Sequence, residues 1–293
     1  MEKLTHIIAA VEHPDSANAV IDKAVALACT FDARVDLLVF DPLLESGFVP
    51  HCVSLDYPNL TVRAAPCAGE PAHALLLREV GERRPDLLIK ARVGAHPLRR
   101  WGLTPTDWQL SQQCPIPLML ATAKPWATPA RFAASIDVSD FGSLDTARRV
   151  LHAGGFLALG CRGNLDVLYT EREQENDLIR MERAVRLAQL VREYHVSGER
   201  LQMFEGSPDT RLPPLFATRQ YDLLVLGAVS HRRGLGETLR PLTGRLADAT
   251  AGDVILVTRE PEKRRDACGA LPVAIPGVNS GEQQVTDERQ QLV

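Results

Sequence analysis

Aromatic side chains are scarce, at 5% of the 293 residues, and cysteine is sparse and scattered. The six cysteines, Cys29, Cys52, Cys67, Cys114, Cys161 and Cys268, form no CxxC pair and no Cys/His cluster, which excludes a zinc ribbon or a dithiol redox motif. They read as reduced thiols of a cytoplasmic protein. No apolar run approaches the roughly 18 residues of a membrane span, and the opening "MEKLTHIIAAVEHP" is too short and too charged for a signal peptide. Basic and acidic side chains nearly balance, 33 against 37, without a basic tract, so neither nucleic acid nor an anionic membrane is the expected partner. A P-loop lysine followed by Ser or Thr is missing, as are HExxH, Ser-His-Asp logic and carboxylates at metal-site spacing. His13, His73, His96, His152 and His195 are dispersed and read as surface or core histidines. The chain is therefore expected to be non-catalytic.

What is present is an internal likeness. Pro85–Ala121 and Tyr221–Thr258 each run from an Asp-led apolar strand through a loop and a short helix to a closing apolar strand. Length fits two domains at roughly 100 to 200 residues each. The boundaries fall at residues 1–124 and 129–258, on either side of a proline-bearing linker, with 259–293 as a polar tail expected to be disordered. Within the first copy, "HIIAAV", "VDLLVFD", "LTVRAAP", "DLLIK" and "PLMLA" read as strands, with helices over "SANAVIDKAVALACTF" and "EPAHALLLREVGERR". Residues 42–59 lack helical period and read as a loop replacing a crossover helix. In the second copy, "FAASID", "LDVLY", "LQMFEG", "DLLVLG" and "DVILVT" are strands, and 171–194 reads as one long amphipathic helix with a solvated face. Alternating strands and helices predict an α/β fold: two tandem, doubly wound, mainly parallel five-stranded sheets.

These residues resemble the universal stress protein family, in particular its tandem, UspE-like members. The resemblance rests on "IDVSD" (136–140), "EGSPD" (205–209), "LLVLGAVS" (223–230), "TPTDW" (104–108) and "CPIPLML…KPW", and covers roughly residues 3–258. It implies that the fifth strands of the two copies, "PLMLA" and "VILVT", pair across a pseudo-twofold axis and remove two open sheet edges.

Relatives that bind ATP resemble one another in a glycine-rich loop after the fourth strand, where backbone N–H groups and a helix N-terminus meet phosphate. By that resemblance Ile136 and Asp137 lie beside adenine and ribose and Leu226 on the crevice wall. Gly227, Ser230, Gly244 and Arg245 fall in the phosphate loop. Ser230 stands for the second glycine, Gly244 lies about four residues beyond the pattern, and Arg245 replaces a hydroxyl residue. His231, Arg232, Arg233 and Arg240 extend this into a basic cluster suited to an anionic ligand. Each position has a plainer alternative: Asp137 as a helix cap, the glycines as positive-φ turns, the arginines as solvated surface. In the first copy Glu12 replaces the Asp and Lys90 stands where a glycine belongs, so no nucleotide is expected there and a Lys90–Glu12 ion pair is. "TPTDW" reads as a helix start capped by Thr104 or Thr106, with Trp108 packed between the copies. The expected function is a non-catalytic stress-response protein holding ATP, another adenine nucleotide or a different small anionic ligand. The alternatives are a weak ATPase or phosphotransferase, or an interaction module with an apolar ligand, a protein partner or a homo-oligomeric contact.

Overall fold

The computed structural model describes residues 3–40, 43, 47, 57–65, 69–92, 103–139, 141–171, 176–218, 221–228, 246–247 and 249–258. The first half of the chain contributes β1 (His6–Val11), α1 (Pro14–Phe31), β2 (Arg34–Phe40), β3 (Leu60–Ala65), α2 (Ala72–Arg83), β4 (Leu87–Ala91), α3 (Pro105–Gln113) and β5 (Leu118–Ala121). The second half contributes β6 (Arg131–Ile136), α4 (Phe141–Gly160), β7 (Asn164–Glu171), α5 (Asp177–Glu193), β8 (Leu201–Glu205), α6 (Pro208–Thr218), β9 (Leu223–Ala228) and β10 (Asp253–Thr258).

Local chemistry sets several of these boundaries. Pro14 enters α1 at its first turn, where its missing N–H costs nothing, and Asp32 ends that helix in the left-handed region at φ 54°. Thr104 and Asp107 form a reciprocal capping box at the start of α3, so the expected Thr cap is present. The long helix of the second half is shorter than the amphipathic pattern predicts. Glu171 still belongs to β7, and the Asn176 side chain accepts from the Leu178 N–H, which starts α5 at Asp177. Most of 42–59 lies outside the described residues, as does 259–293. Leu43 is nevertheless buried in the core.

All strands among the described residues join one ten-stranded sheet in the order β3-β2-β1-β4-β5-β10-β9-β6-β7-β8. Each half supplies five strands in the same order read outward from the centre, and every pairing is parallel except the central one. There β5 and β10 run antiparallel with Met119 opposite Ile255, both fully buried. The fifth strands thus do pair, and the two five-stranded sets are fused rather than stacked. Two apolar layers cover the two sheet faces. One packs α1, α4 and α5 against Ile7, Ala9, Phe132 and Val225. The other packs α2, α3 and α6 against Ile8, Leu88, Leu224 and Leu226. Strand residues alternate between the two layers, as the period of two requires.

Candidate ligand crevice

In a doubly wound sheet, ligands bind beyond the carboxyl ends of the strands where the strand order reverses. Here the order reverses between β1 and β4 in the first half and between β6 and β9 in the second. At the opposite, amino ends, an aspartate fixes each pair. Asp86 Oδ2 accepts from the Thr5 N–H and hydroxyl, each at 2.8 Å, and from the His6 N–H at 3.1 Å. Asp222 Oδ2 accepts from the Arg131 N–H at 2.9 Å. That is the reason each fourth strand is led by Asp.

This anchoring also fixes which residues correspond. Asp86 N–H donates to the His6 carbonyl and Asp222 N–H to the Arg131 carbonyl, both at 2.8 Å. Counting from these points, Glu12 corresponds to Asp137, Lys90 to Leu226 and Ala91 to Gly227. The expectation that Lys90 replaces a glycine is therefore corrected by one residue. Because side chains alternate across a strand, the shift moves Lys90 to the opposite sheet face, the one covered by α3.

On that face Lys90 is fully buried. Its Nζ lies 2.5 Å from Asp107 Oδ1 and 3.1 Å from Glu12 Oε2. Burial opposes the lysine charge, but the two carboxylates outweigh it and raise its pKa above the ordinary lysine value. Asp107 serves twice, since its Oδ2 accepts from the Thr104 N–H at 2.8 Å while Oδ1 holds Lys90. The Lys90–Glu12 pair was expected from the sequence. Asp107 as its second partner was not, because "TPTDW" was legible only as a helix start. Trp108 is half-buried.

In the second half Leu226 takes the place of the lysine and is buried among apolar neighbours. Ile136 is buried at the end of β6, and Ser135 pairs in register with Leu226, so Ile136, Asp137, Leu226 and Gly227 come together at the carboxyl ends of β6 and β9. Asp137 is exposed and caps a tight turn, accepting from the Ser139 N–H at 2.8 Å and its hydroxyl at 3.0 Å. Arg186 of α5 braces that turn by donating to the carbonyls of Val138 and Ser139. Gly227 does not have the positive φ of a turn glycine. Its small size is needed because a Cβ there would sit 2.5 Å from the Thr146 methyl of α4. Ser230, Gly244 and Arg245, with His231, Arg232, Arg233 and Arg240, lie outside the described residues. Among the described residues no cluster of His, Cys, Asp or Glu has the arrangement to hold a metal ion, and no helix is long and apolar enough to cross a membrane.

Three further constellations carry no sequence motif. Arg92, just past β4, donates to the carbonyls of Thr250 and Gly252 at 2.8 and 2.9 Å and to that of Ala247. Asp253 accepts from the Thr122 N–H at 2.6 Å and the Trp126 indole N–H at 2.6 Å, and pairs with Lys23 at 3.0 Å. Each second strand also buries one carboxylate. Asp36 accepts from His6 at 3.2 Å, and Asp166 accepts from Arg200 at 3.0 Å and Tyr221 at 3.1 Å. Burial, with the Arg34 guanidinium beside it, lowers the pKa of His6. Only the distant partners reveal these groups, since they lie 30 to 230 residues apart in the chain.

No family model matches the chain. It is 24% identical over 180 residues to the universal stress protein E homolog of Haemophilus influenzae, a match covering 55% of this chain and 58% of that protein. The match thus spans under two thirds of that curated relative's length. A solved structure of a putative universal stress protein from Pseudomonas aeruginosa superimposes with a TM-score of 0.72 at 20% identity, over 88% of this chain and 94% of that one. A functionally unknown protein from Pseudomonas aeruginosa PAO1 gives 0.73 at 20% identity over the same shares. A universal stress protein from Archaeoglobus fulgidus gives 0.59 at 11% identity, over 88% and 97%. The solved structures share the fold, and the curated relative carries the likeness in sequence, so this chain is similar to universal stress proteins in fold and to a UspE-like one in sequence.

Proposed function

We propose that the chain is a non-catalytic stress-response protein of two tandem domains, 1–124 and 129–258, followed by a tail over 259–293. In this reading the second domain takes a small anionic ligand, an adenine nucleotide first among the candidates, and the first domain takes none. The observation that carries it is the contrast between two topologically equivalent crevices. Beside the first, Lys90, Glu12 and Asp107 satisfy one another in a buried cluster, and Ala91 adds a Cβ where the second has none. Beside the second stand an apolar wall at Leu226 and an exposed carboxylate at Asp137, a set suited to an adenine ring and a ribose hydroxyl, with the backbone of Gly227 next to them. Ser230, Gly244 and Arg245 supply the phosphate contacts in this proposal, and the soluble, cytoplasmic setting expected from the sequence is part of it.

Calorimetric titration of ATP and ADP tests it. The expected result is one nucleotide per chain, with Asp137→Asn weakening binding about tenfold, since an amide can still accept the Ser139 N–H but is a poorer acceptor for ribose. Gly227→Val is unsuitable as a probe because it meets Thr146 before any ligand. Two nucleotides per chain would defeat the asymmetry, and no heat at millimolar nucleotide would defeat the nucleotide.

A further inference from the structure

Seven large apolar side chains are well exposed among the described residues, and four of them lie on one helix. Leu178, Ile179, Met181 and Val185 on α5 are 74, 44, 66 and 67% exposed, and Met203 on the edge strand β8 is 54% exposed. Leu201, two residues before Met203, packs into the layer that holds α5, so Met203 faces the same side of the sheet. Leu178, Met181 and Val185 recur at three and four positions and form one stripe, while Leu187 and Leu190 point into the core from the opposite face. A helix apolar on both faces belongs between two layers rather than at a surface. Yet α5 is well built at its exposed end. Asn176 caps it and Glu182 pairs with Arg186 one turn on.

The charges on the outer face say what covers it. Its first turn carries Asp177 and its last turn Arg192, with the small residues Ala184 and Ala188 set among Met181 and Val185. An antiparallel copy of the same helix, related by a twofold axis near Ala184 and Val185, puts Asp177 opposite Arg192 twice. It also puts Met181 over Ala188 and Val185 over Ala184. A twofold interface must be complementary to itself in this way. The helix macrodipoles oppose as well. From this juxtaposition we propose that the outer face of α5 is a docking surface for a second copy of this chain. The helix is about 25 Å long at ~1.5 Å per residue, and its face is smaller than the roughly 800 Å² per partner of a standard interface, so the dimer exchanges with monomer.

Light scattering and sedimentation of the full chain across about 1 to 100 μM test the proposal, a range that brackets micromolar association. The expected result is a concentration-dependent dimer, with Val185→Glu raising its dissociation constant at least about tenfold and leaving the thermal melt of the monomer unchanged. Asp177→Arg and Arg192→Asp each weaken the dimer, and the double exchange restores it, which a fold defect or an unrelated contact would not do. A chain that stays monomeric throughout, or a dimer indifferent to Val185→Glu, or a double exchange that fails to restore, overturns it. The first of these results would leave the stripe to another occupant, such as residues 259–293 or a different protein.

Discussion

Lys90 keeps its charge inside the protein only because two carboxylates face it. Removing one member of such a cluster strands the others without water, which costs far more than the cluster's net contribution. Asp107→Ala is expected to lower stability by about 3 kcal/mol, measured by urea denaturation, because it takes the nearer of two carboxylates from the buried ammonium and also removes half of the capping box. The pH dependence has a definite sign. The pKa of Lys90 is raised above its ordinary 10.5, so its contribution is complete below that value and is lost as pH rises through the higher folded value. The stability difference between the parent and Lys90→Met should therefore be level below about pH 10.5 and shrink above it. A difference that grows with alkaline pH would contradict the raised pKa.

At the scale of elements, tight backbone approaches decide where glycine is required. Gly252 leads into β10, and a Cβ there would lie 2.5 Å from the Tyr221 carbonyl oxygen and 2.7 Å from that of Asp222. Those atoms are backbone and belong to the entry of β9, so they cannot swing aside. Gly252→Ala is expected to cost about 1–3 kcal/mol. Gly81, exposed near the end of α2, meets nothing within 4 Å. There alanine reduces the entropy of the unfolded chain without strain, and Gly81→Ala is expected to stabilise by about 0.5–1 kcal/mol. Thermal or chemical melts of the two variants, moving in opposite directions, check both claims. The helix caps follow the same local logic: Thr104 was readable as a cap, but only the fold shows that Asn176 starts α5 and that Asp107 closes its box while holding Lys90.

The whole molecule is built around one antiparallel seam. Met119 and Ile255 face each other across it, and Arg92, Asp253 and the Thr258 hydroxyl, which donates to the Cys114 carbonyl at 2.6 Å, tie the two halves together beside it. Neither five-stranded set can open its fifth strand without exposing the other. We expect urea unfolding followed by tryptophan fluorescence and by far-UV circular dichroism to give coincident transitions. Ile255→Ala should shift both curves together by about 2–5 kcal/mol. Separate transitions for the two probes would show halves that fold independently despite the seam.

The strands and their α/β alternation were legible in the sequence because apolar periodicity and Asp-led strand starts are local signals, while the pairing of the fifth strands was implied by the family resemblance. Pairing Glu12 with Lys90 was legible too, since both stand at strand ends that a doubly wound topology brings together. The exact correspondence of Lys90 was not. One residue of register changes the sheet face, and only the backbone hydrogen bonds of Asp86 and Asp222 fix that register. The same holds for Asp107, Arg92 and Asp253, whose partners are distant in the chain, and for Gly227, whose smallness answers to Thr146 on a packed helix rather than to its own backbone. The apolar pattern of α5 marked it as amphipathic, but sequence cannot say which of two apolar stripes faces the core. The tertiary structure decided that by burying Leu187 and Leu190 and leaving Leu178, Met181 and Val185 outside, because a helix on a sheet can turn only one face inward.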